Sequence, residues 1–309
     1  MKLALVFPGQ GSQAPGMMGR YAAYPVVRDT FAEASAVLGQ DLWALVEEGD
    51  GEALSQTVNT QPVMLAADIA VYRAWRAAGG RAPSVLAGHS LGEYAALVAA
   101  GALAFADALP LVRFRAEAMQ EAVPAGVGAM AVIIGLDAAG VADACRETAQ
   151  GQVVEPVNFN APDQTVIAGH REAVERAAAA AKARGAKRVS MLPVSAPFHC
   201  LLMKPAAERL AVYLAQLAVD PAAVPVVHNV DAREAGTSDA IRTTLAAQAA
   251  SPVRWVDTIR DFAARGITHI VECGPGKVLT GLTKRITPEI AALPLNDGDA
   301  IAAAIAETA

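Results

Sequence analysis

Aromatic residues make up only 5% of this 309-residue chain and charged residues 18%, against 54% hydrophobic. So little charge excludes a disordered chain, and a substantial core rich in alanine and poor in rings is expected. Cysteine is nearly missing. Cys145, Cys200 and Cys273 are odd in number, scattered and outside any metal-site spacing, which excludes a disulfide framework and fits a reducing cytoplasm. An excess of positive charge is missing too: the formal net charge of −6 argues against general nucleic-acid binding, though not against a local basic patch. No apolar run approaches the ~18 residues of a membrane-spanning helix. The apolar opening, residues 1–7, is broken by Pro8-Gly9-Gln10-Gly11 before any small-residue cleavage site, so it reads as a first strand rather than a signal peptide. A soluble, cytoplasmic protein of one large or two smaller domains is the expectation.

What is present is organised around Ser84-Val85-Leu86-Ala87-Gly88-His89-Ser90-Leu91-Gly92-Glu93-Tyr94. Val85-Leu86-Ala87 is too short for a helix and suits a buried strand. From Leu91 onward Leu91, Tyr94, Ala95 and Val98 fall at helical spacing. Between them Gly88-His89-Ser90-Leu91-Gly92 matches G-x-S-x-G, the sharp strand-to-helix turn that exposes a serine hydroxyl. The following helix would aim its N-terminal N–H groups toward that oxygen. The bland alternative for Ser90 is a helix N-cap. The strand before, the helix after and the flanking glycines favour a nucleophile.

Along the rest of the chain, residues 3–7 predict a buried strand followed by the turn-rich loop Pro8–Gln13. That loop fits neither glycine-rich nucleotide motif, and an alternative is that its backbone N–H groups face an anion. Helices are expected over 26–38, 61–78 and 106–122, the last carrying Arg113 and Arg115, which on a helix ordinarily stand in solvent. Strands at 129–134, 153–158, 165–168 and 187–192 and helices at 138–148 and 171–184 then give the order β-α-β-β-α-β, the split arrangement of a ferredoxin-like module. It reads as an insertion, residues 126–195, in a main body formed by 1–125 and 196–309. Helices at 202–217, 239–249 and 256–265 and strands at 226–227 and 268–271 complete that body, an α/β fold with a mainly parallel sheet covered on both faces. A cleft between the two parts is a natural ligand site.

A serine hydroxyl needs a neighbour to accept its proton. Of five histidines, His89 adjoins Ser90 but points elsewhere on a sharp turn, and His170 opens a helix at the surface. His228 and His269 belong to apolar strands or their ends. His199, in the loop that returns from the insertion, is the first candidate for the base, with His89 second. No Asp or Glu stands out as a third triad member. A neutral acceptor such as a backbone carbonyl would fix the histidine tautomer without a buried charge.

Six segments occur in order: Phe7-Pro8-Gly9-Gln10-Gly11-Ser12-Gln13, Gly88-His89-Ser90-Leu91-Gly92-Glu93-Tyr94, Arg113-Phe114-Arg115, Asn158-Phe159-Asn160, Pro197-Phe198-His199-Cys200 and Glu272-Cys273-Gly274-Pro275-Gly276. Together they resemble, nearly end to end, the malonyl-CoA:acyl carrier protein transacylases of bacterial fatty acid synthesis. The resemblance implies an α/β-hydrolase-like core with a ferredoxin-like insertion, no bound cofactor or metal, and malonyl-CoA and acyl carrier protein as substrates. It makes Ser90 the nucleophile, His199 the base, and the backbone N–H groups of Gln10 and Leu91 the oxyanion hole. Arg115 becomes the partner of the malonyl carboxylate, and Gln248, through its backbone carbonyl, the orienter of His199. Phe198 would trim only branched malonates, and Asn160 would touch CoA or the carrier. Carriers of this family are acidic, so Lys187-Arg188, Lys277 and Lys284-Arg285 are candidates for a docking patch. Ala116 departs from the glycine common after the arginine, and Phe198 and Cys200 vary in the family. A monomer is the default.

Rival readings are a serine thioesterase, which the missing acid and the arginine weigh against, and a non-catalytic acyl-binding protein. An acyltransferase serving a polyketide synthase is a third.

Overall fold

In a computed structural model that describes residues 1–309, the apolar opening is a central strand, β1 (Leu3–Phe7). Its side chains alternate: Leu3, Leu5 and Phe7 enter a core of 61 buried residues, while Ala4 and Val6 enter a second of 15 on the other face. Burial on both faces is why the run has no polar alternation. The chain continues through α1 (Pro25–Leu38), α2 (Leu42–Glu47), α3 (Gly51–Ser55) and α4 (Thr57–Ala77) to β2 (Val85–Gly88), α5 (Gly92–Ala99) and α6 (Phe105–Glu121). The inserted run is β3 (Gly128–Ile134), α7 (Ala138–Thr148), β4 (Val154–Ala161), β5 (Gln164–His170), α8 (Arg171–Ala183) and β6 (Arg188–Met191). Then follow α9 (Lys204–Ala215), β7 (Val226–Val227), α10 (Ser238–Gln248), α11 (Trp255–Ala264), β8 (His269–Glu272), α12 (Val278–Ile286), β9 (Ala291–Pro294) and α13 (Gly298–Thr308).

Strands β7-β2-β1-β8-β9 form one parallel sheet in that order. The inserted strands form a separate antiparallel sheet, β4-β5-β3-β6. Ala129, Ala131 and Ile133 of β3 face α7 and α8 in a core of their own. Met130 and Val132, on the opposite face, pack toward the main body. The segments entering and leaving the insertion touch, since a Cβ on Gly128 would lie 2.4 Å from Pro197 Cδ.

The expected α/β architecture is present, and differences lie at element ends, in the short helices α2 and α3 and in the last quarter of the chain. Helix α4 begins at Thr57 and carries Pro62 inside it, where sequence alone would place proline in the first turn. The short helices α2 and α3 are stabilised by Asp41 and Asp50, whose side chains accept from Ala44 and Ala53 N–H. Helix α12 is capped from a distance: the buried Glu272 carboxylate accepts from Leu279 N–H, Thr280 N–H and the Thr280 hydroxyl. Edge strand β9, Ala-Ala-Leu-Pro, has no β-branched residue to announce it.

Asp68, on α4, is fully buried with no hydrogen-bond partner at either oxygen. Burial, and secondarily Glu272, push its carboxyl well above the ordinary range. The folded chain therefore keeps a proton that the unfolded chain releases, so this group's stability contribution is lost as pH rises above the ordinary Asp value. Asp68→Asn is expected to raise Tm, and by more at pH 8 than at pH 5. Calorimetry showing a pH-independent change would contradict this.

Candidate active site

Parallel pairing delivers the loops of the site to one edge. Phe7 is in register with Gly88 and Ala87 with Val227, so the chain leaves β1, β2 and β7 side by side at their carboxyl ends, where open α/β sheets bind ligands. The turn from β2 into α5 is tight. A Cβ on Gly88 would sit 1.9 Å from Gly92 C, and one on Gly92 2.1 Å from Phe7 O. Between the two glycines Ser90 adopts φ 52°, the left-handed region that a side chain rarely takes. Gly9 packs directly on this turn, 2.5 Å from His89 O were it to carry a Cβ. The Gln10 and Leu91 N–H groups make no hydrogen bond within the protein, and both residues line the cavity into which Ser90 opens.

The Ser90 hydroxyl lies 2.7 Å from His199 Nε2. His199 Nδ1 lies 3.0 Å from the Gln248 backbone carbonyl. A carbonyl only accepts, so the proton sits on Nδ1 and Nε2 is left bare to receive the serine proton. Burial, and then the neighbouring Arg115, lower His199 to a pKa of about 3. Its backbone, at φ 67°, is also left-handed.

Arg115 does not stand in solvent. It is 2% exposed, and none of the structure's ion pairs includes it. Its Nη1 donates to Gln61 Oε1 at 2.8 Å, and its Nη2 to Gln248 Oε1 at 2.9 Å and to Ser90 Oγ at 3.1 Å. Neutral oxygens thus hold a buried cation beside the serine, and the buried Glu93 carboxylate acts on it only through space, without an ion pair. Arg113, two residues earlier, turns toward the Leu38 carbonyl and the Gln40 side chain. Ala116 is buried.

The cavity, of about 300 Å³, is closed on one side by Met119, Met130, Val194 and Phe198. A second cavity of about 440 Å³ shares Gln10, Gly11, His89, Asn158 and Leu192 with it and runs on to Asn160 and Arg188. His89 Nε2 is 2.8 Å from Asn160 Oδ1 and so is turned from the serine hydroxyl. Lys187 and Arg188 are exposed, Arg188 at the mouth of the second cavity and Lys187 outside it. Lys277 and Lys284 are also exposed, Lys284 beside a separate cavity with Ala291 and Leu293, while Arg285 is paired with Asp163. No group of three or more His, Cys, Asp or Glu side chains is arranged to hold a metal ion, and no helix is long and apolar enough to cross a membrane.

Sequence reasoning missed Gln61, Asn229 and Glu93. Asn229 follows a strand of the parallel sheet, a position that could have marked it. Gln61, inside a long helix, had no such signal.

The geometry is that of an acyl-transferring serine site, and comparison with known proteins agrees. Residues 4–293 match the family model described as acyl transferase domain. The malonyl CoA-acyl carrier protein transacylase of Escherichia coli K12 is 58% identical over 305 residues, spanning 98% of this chain and 99% of the relative. The crystal structure of an acyl-carrier-protein S-malonyltransferase from Burkholderia pseudomallei 1710b superposes with a TM-score of 0.98 at 54% identity, covering 99% of this chain and 100% of that one. A malonyl-transacylase solved in complex with its type II PKS acyl-carrier protein gives the same TM-score at 53% identity, covering 99% and 100%. This chain belongs to the acyl transferase family, among the malonyl CoA-acyl carrier protein transacylases.

Proposed function

We propose that the chain moves a malonyl group from malonyl-CoA to the phosphopantetheine thiol of an acyl carrier protein, supplying fatty acid elongation. Ser90 Oγ attacks the thioester carbonyl and gives its proton to His199 Nε2. The oxyanion is held by the Gln10 and Leu91 N–H groups, fixed donors of the kind that stabilise such transition states most. The C–S bond breaks, and CoA leaves with the proton from His199. In the second half, the carrier thiol loses its proton to His199 and attacks the malonyl-serine ester, and Ser90 departs with that proton. CoA leaves before the carrier thiol enters, so the kinetics are ping-pong. The Gln248 carbonyl keeps the His199 tautomer in register, and every step uses the chain's own groups, so no cofactor or metal is assigned.

The observation that carries this reading is the unpaired guanidinium 3.1 Å from the serine oxygen. Its planar fork matches a carboxylate. Leaving a buried charge without its partner costs ~3–5 kcal/mol, whereas a methylene in a pocket discriminates by only ~1–3 kcal/mol. Charge therefore separates malonyl from acetyl, and Phe198 trims branched malonates. A thioesterase has no need of such a cation. The insertion, residues 126–195, is assigned as a second domain walling the cleft. The second cavity, past Asn160, is assigned to the pantetheine arm, and Arg188 at its mouth, with Lys187 next in the chain, to the acidic carrier. One related structure carries a type II PKS carrier, which favours polyketide synthesis as the second reading. A cytoplasmic monomer completes the assignment.

Intact-mass analysis after brief exposure to malonyl-CoA should show one added malonyl group on the wild type and none on Ser90→Ala. Arg115→Ala should lose malonyl transfer while its relative activity with acetyl-CoA rises. An unmodified wild type, or an unchanged malonyl-to-acetyl preference in Arg115→Ala, would refute the respective role. With His199 lowered to about 3, the base is already neutral throughout the ordinary working range. The pH profile of kcat/KM for malonyl-CoA, which reports the free enzyme, should stay level from about pH 8 to about pH 5. A falling limb near the ordinary histidine value would contradict it. The rate constant for transfer to the carrier should fall steeply with salt, and a flat salt dependence would remove Lys187 and Arg188 from the docking surface.

A further inference from the structure

Glycines at 88 and 92 make room for the bend at Ser90, but room does not hold a residue at φ 52°. Asn229 does. Its Oδ1 accepts the Ser90 N–H at 2.7 Å and its Nδ2 donates to the Gly88 carbonyl at 2.7 Å, clasping the turn from both sides. Asn229 is fixed in turn, its backbone N–H donating to Glu93 Oε2 at 2.8 Å. The other Glu93 oxygen accepts from His228 Nδ1 at 2.8 Å. Glu93 stands in the first turn of α5, three residues beyond Ser90, so the circuit returns to the helix that the serine begins. Glu93, His228 and Asn229 are each at most 1% exposed. None of the three lines the cavity that holds Ser90.

The arrangement bears on the oxyanion. Of the amides at the start of α5, the Ser90 N–H is taken by Asn229, and the Gly92 and Glu93 N–H groups by the His89 and Ser90 carbonyls. Leu91 alone among these four keeps a free N–H.

We propose that Asn229, anchored by Glu93 and His228, is a positioning residue that captures the Ser90 amide, holds the strained turn and thereby leaves the Leu91 amide as the donor facing the thioester. The proposal deepens the acyl-transfer reading and rests on it. Removing such a clasp withdraws transition-state stabilisation without touching the carboxylate contact of Arg115. It should therefore act on kcat and spare KM.

The test is steady-state transfer from malonyl-CoA to acyl carrier protein, followed as CoA release, on the wild type, Asn229→Ala, Asn229→Asp, Glu93→Ala and Glu93→Gln, with Tm recorded for each. Losing one oxyanion donor costs about 10²–10³ in kcat. Asn229→Ala and Glu93→Ala should accordingly drop kcat by about 10²-fold with KM within about threefold of wild type. Asn229→Asp keeps the acceptor for Ser90 but turns an acceptor toward the Gly88 carbonyl. It should fold and still lose at least about tenfold in kcat. Glu93→Gln retains an oxygen for the Asn229 N–H and should recover to within about threefold of wild type. Wild-type kcat in the Asn229 variants, a loss confined to KM, a lowered Tm with unchanged kcat, or Glu93→Gln as impaired as Glu93→Ala would overturn the assignment. Running the series with 4-nitrophenyl acetate, which needs no carboxylate contact, separates the two readings. A wild type that ignores malonyl-CoA but is acylated by this ester would sink the malonyl assignment and leave the Asn229 comparison standing. A wild type inert to both would overturn both.

Discussion

A buried positive charge with no negative partner is the feature around which this site is arranged. Taking an ion out of water costs on the order of several kcal/mol unless it is paired. Arg115 is given only neutral oxygens. Three separate elements converge to supply them: α4 through Gln61, α10 through Gln248 and the β2–α5 turn through Ser90. Gln248 is the pivot. Its side-chain oxygen receives Arg115, its side-chain nitrogen donates to the Ser90 carbonyl at 2.9 Å, and its backbone carbonyl receives His199. Guanidinium, serine turn and imidazole are thus all bonded to one residue at the end of one helix.

The parallel sheet makes this convergence possible. Strands in register end together, so loops far apart in sequence emerge as neighbours. Pro8–Gln13, His89–Leu91 and His228–Asn229 meet in this way, and the insertion closes the other side with the outward face of β3. The uncommon backbone angles in the site fall on the two residues whose side chains hydrogen-bond to each other, Ser90 and His199. They persist because hydrogen bonds from other elements hold the Ser90 turn and the His199 ring.

Much of this was legible beforehand. Short apolar runs marked β1 and β2, and the change of rhythm at Gly126 marked the start of the antiparallel sheet, because periodicity is a local signal. The serine turn could be read because its glycines are dictated by close backbone approach. Arg115 could not be read from its own helix. Burial of a charged residue is decided by what lies opposite, and Gln61 and Gln248 are 54 and 133 residues away. Helix α12 escaped for the same reason, its cap being a carboxylate on the preceding strand. Strand β9 escaped because alanines and a proline carry little strand preference. The resemblance to known transacylases supplied Gln248, which no motif of its own would have suggested.

The closeness of Arg115 to His199 has a consequence for the chemistry itself. The two strongest influences suppressing the imidazole's affinity for protons are its removal from water and the positive charge beside it. The first is permanent, whereas the second persists only while the guanidinium is unsatisfied. A dicarboxylic acyl group, seated with its free carboxylate on that cation, cancels the field and leaves behind a stronger base. An acyl group without one meets the imidazole in its weakened state. Under the acyl-transfer reading, the cargo thus arms the group that activates its own attacker, and discrimination extends from binding into the proton transfer.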